Sequence, residues 1–368
     1  MEILARAKAL EAQGAHVVHF EIGEPDFPPP DAAIKAAVRA LQARRTRYTP
    51  AAGLPELREG ISRWYRRTYG VEVAPSRILV TPGSSPAFVA LFAALLDPGE
   101  EVLLPDPGYP CQRNFARIVG AAPKLVPVGP QSRWQLDAEA IAAHWGARTR
   151  AAVITNPGNP SGALVDRAFV AEALQAARAR GGWLVVDEIY QGLVYGEAKA
   201  WSALSISDEV IVVDGFSKRW AMTGMRVGWV VLPSALAAPV ERVLQNAVIA
   251  APTEAQYAAL AALDADEAVE RMRAAYDARR KLLLPALEGI GFRVPCTPEG
   301  AFYIYADASR FTDDAEAFCR MVLEQAHVAI TPGADFGVHE ARRYVRFSYA
   351  TGLDDIREGI DRLRKILS

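Results

Sequence analysis

Four short segments combine residue types that could do chemistry together. The first is Thr81-Pro82-Gly83-Ser84-Ser85, a glycine–serine turn followed by a helical stretch. Free N–H groups and the positive end of a helix dipole suit a phosphate, although such turns also simply start helices. The second is Asn156-Pro157-Gly158-Asn159-Pro160-Ser161-Gly162. Its Asn-Pro steps and glycines make a rigid turn. The asparagine amides then offer donors and acceptors to a ligand, or the segment is an ordinary turn. The third, Asp187-Glu188-Ile189-Tyr190, follows the apolar run Trp183–Val186. A carboxylate at the end of a buried run is partly desolvated and needs a positive partner; a helix cap is the alternative. The fourth, Gly215-Phe216-Ser217-Lys218-Arg219-Trp220, sets a lysine between two aromatic residues, with Arg226 further on. A lysine in apolar surroundings near other cations has a lowered pKa and can form Schiff bases; otherwise it is a surface charge.

These segments supply a phosphate cradle, a rigid asparagine, a buried acid with a tyrosine, and a lysine with an arginine. Pyridoxal 5'-phosphate needs such a set. Its aldehyde needs a lysine, its phosphate a helix N-terminus and an arginine, and its ring nitrogen an acid that keeps it protonated.

The segments follow runs that read as strands. Ile78–Thr81, Glu101–Leu104, Lys124–Val128, Ala151–Thr155, Trp183–Asp187, Val210–Asp214 and Val227–Leu232 are short and apolar. Several are nearly continuous in Val, Ile and Leu, as in strands buried on both faces. Helical stretches at Pro86–Leu96, Pro110–Val119, Ala138–Trp145 and Arg167–Arg180 fall between many of them. The alternation predicts an α/β fold, with a large domain whose mostly parallel seven-stranded sheet is flanked by helices. Ligands then bind at the carboxyl ends of the strands, where the four segments lie.

The ends of the chain read differently. A surface helix opens it, and His16 and His19 fall on a short strand with Val17, Val18, Phe20 and Ile22. Asp31 is expected to cap an alanine-rich helix through Ala43, with another helix at Pro55–Tyr69. Glu241–Leu263 and Glu267–Leu287 are mainly helical. Strands are expected at Phe292–Val294, Ala301–Ala306 and Tyr344–Ala350, and helices at Asp313–Gln325 and Leu353–Leu367. This predicts a smaller α+β domain built from both termini. The expected division is an N-terminal segment of the small domain over 1–40, a large cofactor-binding domain over 41–280 and a C-terminal small domain over 281–368.

Composition narrows the function classes. The 368 residues exceed the ~250–300 at which one core usually stops growing. With 51% apolar and 23% charged residues, disorder over most of the length is excluded. The net charge of −2 lacks the clustered basic excess of a nucleic-acid binder; Arg44–Arg47 and Arg66–Arg67 read as solvated helix edges. Cys111, Cys296 and Cys319 are too sparse for a disulfide framework and form no CxxC pair, so no metal is expected. No window holds the ~18 consecutive apolar residues of a membrane span, and the N-terminus does not read as a signal peptide. A soluble, cytoplasmic protein without membrane or nucleic-acid partners is expected.

The order NPGNPSG, VVDEIY and FSKRWAMTGMRVGW resembles the class I/II aminotransferases, the fold-type-I pyridoxal-phosphate enzymes. HFEIGEPDF, RYTPAAGLPELREGI, PDPGYP, PEGAFYIY, TPGADFG and YVRFSYA are similar to further family segments in the family's order, so the resemblance covers essentially the whole chain. It implies that Lys218 is the Schiff-base lysine and proton shuttle. Asp187 is the partner of the pyridine N–H, and Asn159 and Tyr190 bond the ring's 3-oxygen. Tyr109 stacks on the ring. Ser84, Ser85, Ser217 and Arg226 hold the phosphate. Tyr48 reaches the phosphate of a neighbouring subunit, which implies a homodimer with shared active sites. Arg346 grips the substrate α-carboxylate, with Asn159 beside it, and Gly23 lets the backbone approach that carboxylate. The implied reaction is transamination between an L-amino acid and a 2-oxo acid by a ping-pong mechanism. A carbon–sulfur β-lyase or an aminocyclopropanecarboxylate-synthase-like enzyme of the same fold is the alternative.

Two positions depart from the family pattern. A phosphate-bonding serine often stands three residues before the lysine, and Gly215 stands there in this chain. One branch of aspartate aminotransferases has a lysine in the phosphate-turn segment that reads a distal carboxylate; the matching position is Ser85, which argues against a strict aspartate enzyme. Phe20, Phe302 and Phe336 are expected either to line the side-chain pocket or to be core.

Overall fold

The computed structural model describes residues 2–367; Met1 and Ser368, the outermost residues of the expected division, lie outside the described residues. Twelve strands are present among the described residues: β1 (Val18–His19), β2 (Ile78–Thr81), β3 (Glu101–Asp106), β4 (Ala122–Pro127), β5 (Thr149–Thr155), β6 (Trp183–Asp187), β7 (Ile211–Gly215), β8 (Gly228–Val231), β9 (Tyr303–Asp307), β10 (Val328–Ala329), β11 (Thr331–Pro332) and β12 (Tyr344–Ser348). Seven form one sheet in the order β2-β8-β7-β6-β5-β3-β4. Strand β8 runs antiparallel to both neighbours, and the other pairs are parallel.

The apolar runs are continuous because both faces of this sheet are covered. Along β5, Ala152 and Ile154 pack into one buried cluster while Ala151 and Val153 pack into another on the opposite face. That is the two-residue period of a strand, with an apolar demand on each side. Four expected elements match the observed bounds residue for residue: the strands Ile78–Thr81 and Trp183–Asp187, and the helices Pro55–Tyr69 and Leu353–Leu367. Helix Pro55–Tyr69 has proline at its first position and Gly70 in the left-handed conformation at its end, the signals that make its bounds readable.

Three local expectations need correction. Glu241–Leu263 is two helices, Ser234–Ala247 and Thr253–Ala262. Ile249 takes a positive φ of 67° and Pro252 caps the second helix, so the ladder cannot run through. Phe292–Val294 is not a strand; Arg293 makes one isolated bridge to Asp307. Asp31 is already the first helical residue, and Pro30 occupies the cap without a side-chain hydrogen bond.

A second sheet, in the order β11-β12-β9, is antiparallel. Strand β1 pairs in parallel with β10, which brings the N-terminal segment onto the C-terminal part of the chain. A third buried cluster, with Val18, Phe20, Phe302, Ile304 and Phe347, joins these pieces. Phe20 and Phe302 are thus core residues.

Candidate active site

The carboxyl ends of β2, β5, β6 and β7 converge on two adjoining cavities. One, of about 150 Å³, is lined by Gly23, Ser84, Tyr109, Thr155, Asn159, Asp187, Ile189, Tyr190, Lys218, Tyr303 and Arg346. The other, of about 290 Å³, shares Gly23, Ser84, Tyr109, Ile189 and Lys218 and adds Glu24, Ser85, Ser217, Thr223 and Arg226. The structure therefore brings together every expected site residue except Tyr48, which stands 81% exposed. A larger cavity of about 380 Å³ beside Phe27–Pro30 and Trp220 is mostly apolar and contains none of these groups.

The anion-binding end is built from β2, the helix Ser84–Leu95 and Arg226. Gly83 precedes the helix at φ 95°, a conformation that favours glycine. A Cβ there would also stand 2.5 Å from Nη2 of Arg226, so the glycine lets the guanidinium lie against the turn. Arg226 itself is left-handed, at φ 56°, and its Nη1 donates to the Thr223 carbonyl at 2.8 Å. Gly215 has a packing explanation. It pairs with Gly228 across β7 and β8, and a Cβ would meet the Gly228 Cα at 3.1 Å and Val227 O at 3.3 Å. The close approach of the two strands leaves little room for a side chain.

At the other end, Asp187 terminates β6 and is 3% exposed. One carboxylate oxygen accepts from the Ile189 N–H at 3.3 Å and the other from Nε2 of Gln112 at 3.2 Å. Burial outweighs these bonds and pushes its pKa up to about 7. A carboxylate so placed calls for a positive partner. Burial pulls the Lys218 amine down to about 8, helped by the positive charges of Arg346 and Arg226 and opposed by Glu24 and Asp187. Its Nζ donates to the Gly23 carbonyl at 2.6 Å.

Arg346 lies mid-strand in β12 and is 6% exposed. Its Nη1 donates to Oδ1 of Asn159 at 3.1 Å and its Nη2 to the Glu21 carbonyl at 2.7 Å, while Nε has no partner. The guanidinium carbon is 4.3 Å from the Tyr303 ring centre and 4.7 Å from that of Phe336. A buried fork-shaped cation at a cavity wall is suited to a planar carboxylate. Arg342 and Arg343, its neighbours in sequence, instead pair with Asp314 and with Asp307 and Glu340.

Known proteins similar to this chain point to one family. Residues 15–363 match the family model described as aminotransferase class I and II. This chain belongs to that family. The (5-formylfuran-3-yl)methyl phosphate transaminase of Methanocaldococcus jannaschii is 35% identical, covering 100% of this chain and 96% of its own. An aspartate aminotransferase of Streptomyces avermitilis is 38% identical, covering 99% of this chain and 92% of its own. An aminotransferase structure from Mycobacterium tuberculosis superposes with a TM-score of 0.96 at 36% identity, covering 100% of this chain and 95% of that one. The protein is a pyridoxal-phosphate-dependent aminotransferase. Among the described residues no helix is long and apolar enough to cross a membrane.

Pyridoxal phosphate fits the residues present: a desolvated lysine, a buried acid without a cationic hydrogen-bond partner, and a helix N-terminus beside an arginine. Two lining residues, Thr155 and Tyr303, and one residue behind the wall, Gln112, which bonds Asp187, are not marked by the sequence. Thr155 was seen only as the end of a strand. Gln112 reads as one residue of a helix and Tyr303 as one of a strand; nothing local marks the first as a partner of Asp187 or the second as facing the cavity.

Proposed function

We propose that Lys218 is the group that bonds the cofactor's aldehyde carbon and then carries the proton of the substrate Cα. The observation that supports this most is the convergence of Lys218, Asp187 and Arg346 on one cavity of about 150 Å³. When bound, the cofactor supplies an electron sink for the pair released as Cα loses its proton. Asp187 provides the negative charge that keeps the ring nitrogen protonated. Asn159 and Tyr190 are the donors for the 3-oxygen, and Tyr109 offers its ring for stacking. Ser84, Ser85, Ser217 and Arg226 hold the phosphate. Arg346 takes the α-carboxylate of amino acid and 2-oxo acid alike, and Gly23 leaves the backbone free to approach it. An amine lowered to about 8 is partly unprotonated near neutral pH, as a proton carrier must be.

The same reading assigns the chain to a homodimer with shared sites, in which Tyr48 reaches the partner's phosphate. Ile34, Val38 and Leu41 form an exposed apolar stripe on the helix Asp31–Gln42, and Tyr48 and Ile249 are exposed as well. An unpartnered apolar surface of this kind supports a second copy covering it. The division into segments 1–40, 41–280 and 281–368 has partial support: Ile3, Val18 and Phe20 share one buried cluster with most of the C-terminal segment, but Ile189, Tyr195, Met272 and Tyr276 join that cluster too, and Ala33 packs with the large sheet. Three free thiols suit a reducing compartment such as the cytoplasm.

Incubation of the cofactor-loaded protein with one amino donor and no oxo acid tests the reaction. One half-reaction per site and a halt is expected; continuous product release would overturn it. Borohydride reduction should fix the cofactor on Lys218, and an adduct mapped to any other lysine would refute the assignment.

A further inference from the structure

We infer that Tyr303 is a positioning residue of this site, its hydroxyl aiming the Tyr190 proton and its ring holding the Arg346 guanidinium. The inference rests on the roles proposed above for Tyr190 and Arg346.

The sheet register places Tyr303 for both tasks. Arg346 pairs with Tyr305 and Ser348 with Tyr303 across β12 and β9. Tyr303 is two residues from Tyr305, so it shares the face of Arg346. Its side chain is 1% exposed, and its ring centre lies 4.3 Å from the guanidinium carbon. With water excluded, attraction between a cation and a ring face is strengthened.

The hydroxyl follows from counting protons. The oxygens of Tyr190 and Tyr303 are 2.9 Å apart. Among the described residues, each is the other's one hydrogen-bond partner. Each phenol carries one proton, so the bond runs in one of two directions. Tyr190 can donate to an oxygen in the cavity only if Tyr303 donates to Tyr190. Asn159 obeys the same logic: its Oδ1 is taken by Arg346 at 3.1 Å, which leaves its NH2 to donate. Both donors to the ring oxygen are thus polarised from behind, and chained hydrogen bonds strengthen one another.

The test uses cofactor-loaded Tyr303→Phe and Tyr190→Phe proteins, reading the pH midpoint of the cofactor's visible absorption band. A donor to the 3-oxygen stabilises its anionic form, so weakening that donor raises the midpoint. Tyr190→Phe should raise it. Tyr303→Phe should raise it less, by about 0.4–1 pH unit if one neutral hydrogen bond is lost. An unmoved midpoint in Tyr303→Phe beside a moved one in Tyr190→Phe would overturn the hydroxyl role alone. If neither moved, the role proposed for Tyr190 would fail, and this inference with it. The ring role is read from kinetics. Tyr303→Phe keeps the ring and should leave the KM for amino acids within about threefold, whereas Tyr303→Leu should raise it about tenfold. An amine without an α-carboxylate should keep its KM in Tyr303→Leu; a parallel rise for that amine would mark the ring as merely structural.

Discussion

Lys218 and Gly23 are joined by a hydrogen bond of 2.6 Å from the ammonium to a backbone carbonyl, across 195 positions of sequence. Two residues before Gly23, the Glu21 carbonyl holds Arg346 at 2.7 Å. One short N-terminal segment therefore sets the rest position of the proposed proton carrier and of the proposed carboxylate clamp.

Replacement of Arg346 by lysine keeps the charge and loses the paired donors. The loss of one charge-assisted bond, about 1.5–3 kcal/mol, should lower kcat/KM about 10- to 150-fold for every amino acid and oxo acid. Amines without an α-carboxylate should be nearly unaffected. Steady-state kinetics on both classes decides it, since an effect on one donor alone belongs to a side-chain pocket residue.

In Asp187→Asn the shape of the side chain survives and its charge does not. Cofactor should still bind, while kcat falls about 10- to 150-fold for the same loss of a charge-assisted bond. Near-normal turnover in a fully loaded variant would show that the ring needs no charge from Asp187.

Gly23→Ala should impair the site by steric means. An added Cβ would stand 2.9 Å from the Tyr303 hydroxyl, but the next atoms, Tyr303 Cζ and Arg346 Nη2, are at 3.9 Å, which is ordinary contact. Gly23→Ala combined with Tyr303→Phe should thus have a lower KM than Gly23→Ala alone. An equal or higher KM in the double variant would place the damage elsewhere.

Shared sites predict complementation. Tyr48→Phe subunits mixed with Lys218→Ala subunits would form dimers with one doubly damaged and one intact site. Activity per Tyr48→Phe subunit should rise above the unmixed level. Sites contained within one chain would give no gain on mixing.

His19 provides a pH signature of the N-terminal segment. Its ring contacts Glu21 at 2.7 Å and Glu11 at 3.1 Å. The Glu21 hydrogen bond, with the charges of both glutamates, outweighs partial burial and raises the imidazole to about 9. A raised folded pKa means that the stabilisation is complete below the ordinary value of 6.5 and is lost as pH rises through 9. Discounted for partial exposure, this is on the order of 1–2 kcal/mol. Thermal melts should show Tm falling between pH 6.5 and 9, and His19→Gln should flatten that fall; an unchanged slope would mean the pair is not felt.

What the sequence revealed follows from where each constraint resides. Strand β6 was legible because both of its faces are buried, and its last residue, Asp187, was suspect because a charge at the end of such a run must be accounted for. Lys218 and Arg226 stood out through motif order. Tyr303 and Gln112 were hidden because their roles depend on partners 113 and 75 positions away, and an apolar strand or an ordinary helix accommodates each without comment. The break at Ile249 is masked by flanks that favour helix on both sides, although Pro252, which caps the second helix, marks it locally. Glu188 illustrates the reverse: adjacent to Asp187, it turns away from the cavity, accepts from the Ala203 N–H at 2.6 Å, and is held by burial at about 8.

The pairing of β1 with β10 has a consequence for synthesis. Val18 meets Val328 in register, and the Glu21 carbonyl waits for an arginine 325 residues downstream. The seven strands of the large sheet are all complete by Val231, so that sheet can consolidate while the last third of the chain is still being made. Its strand ends, with Lys218 and Asp187, then stand ready before the carboxylate clamp exists. Contacts of such long range close slowly and late, and domains consolidate in the order in which they emerge. The nascent protein is thus expected to gain the means to hold its cofactor before it gains the means to orient a substrate.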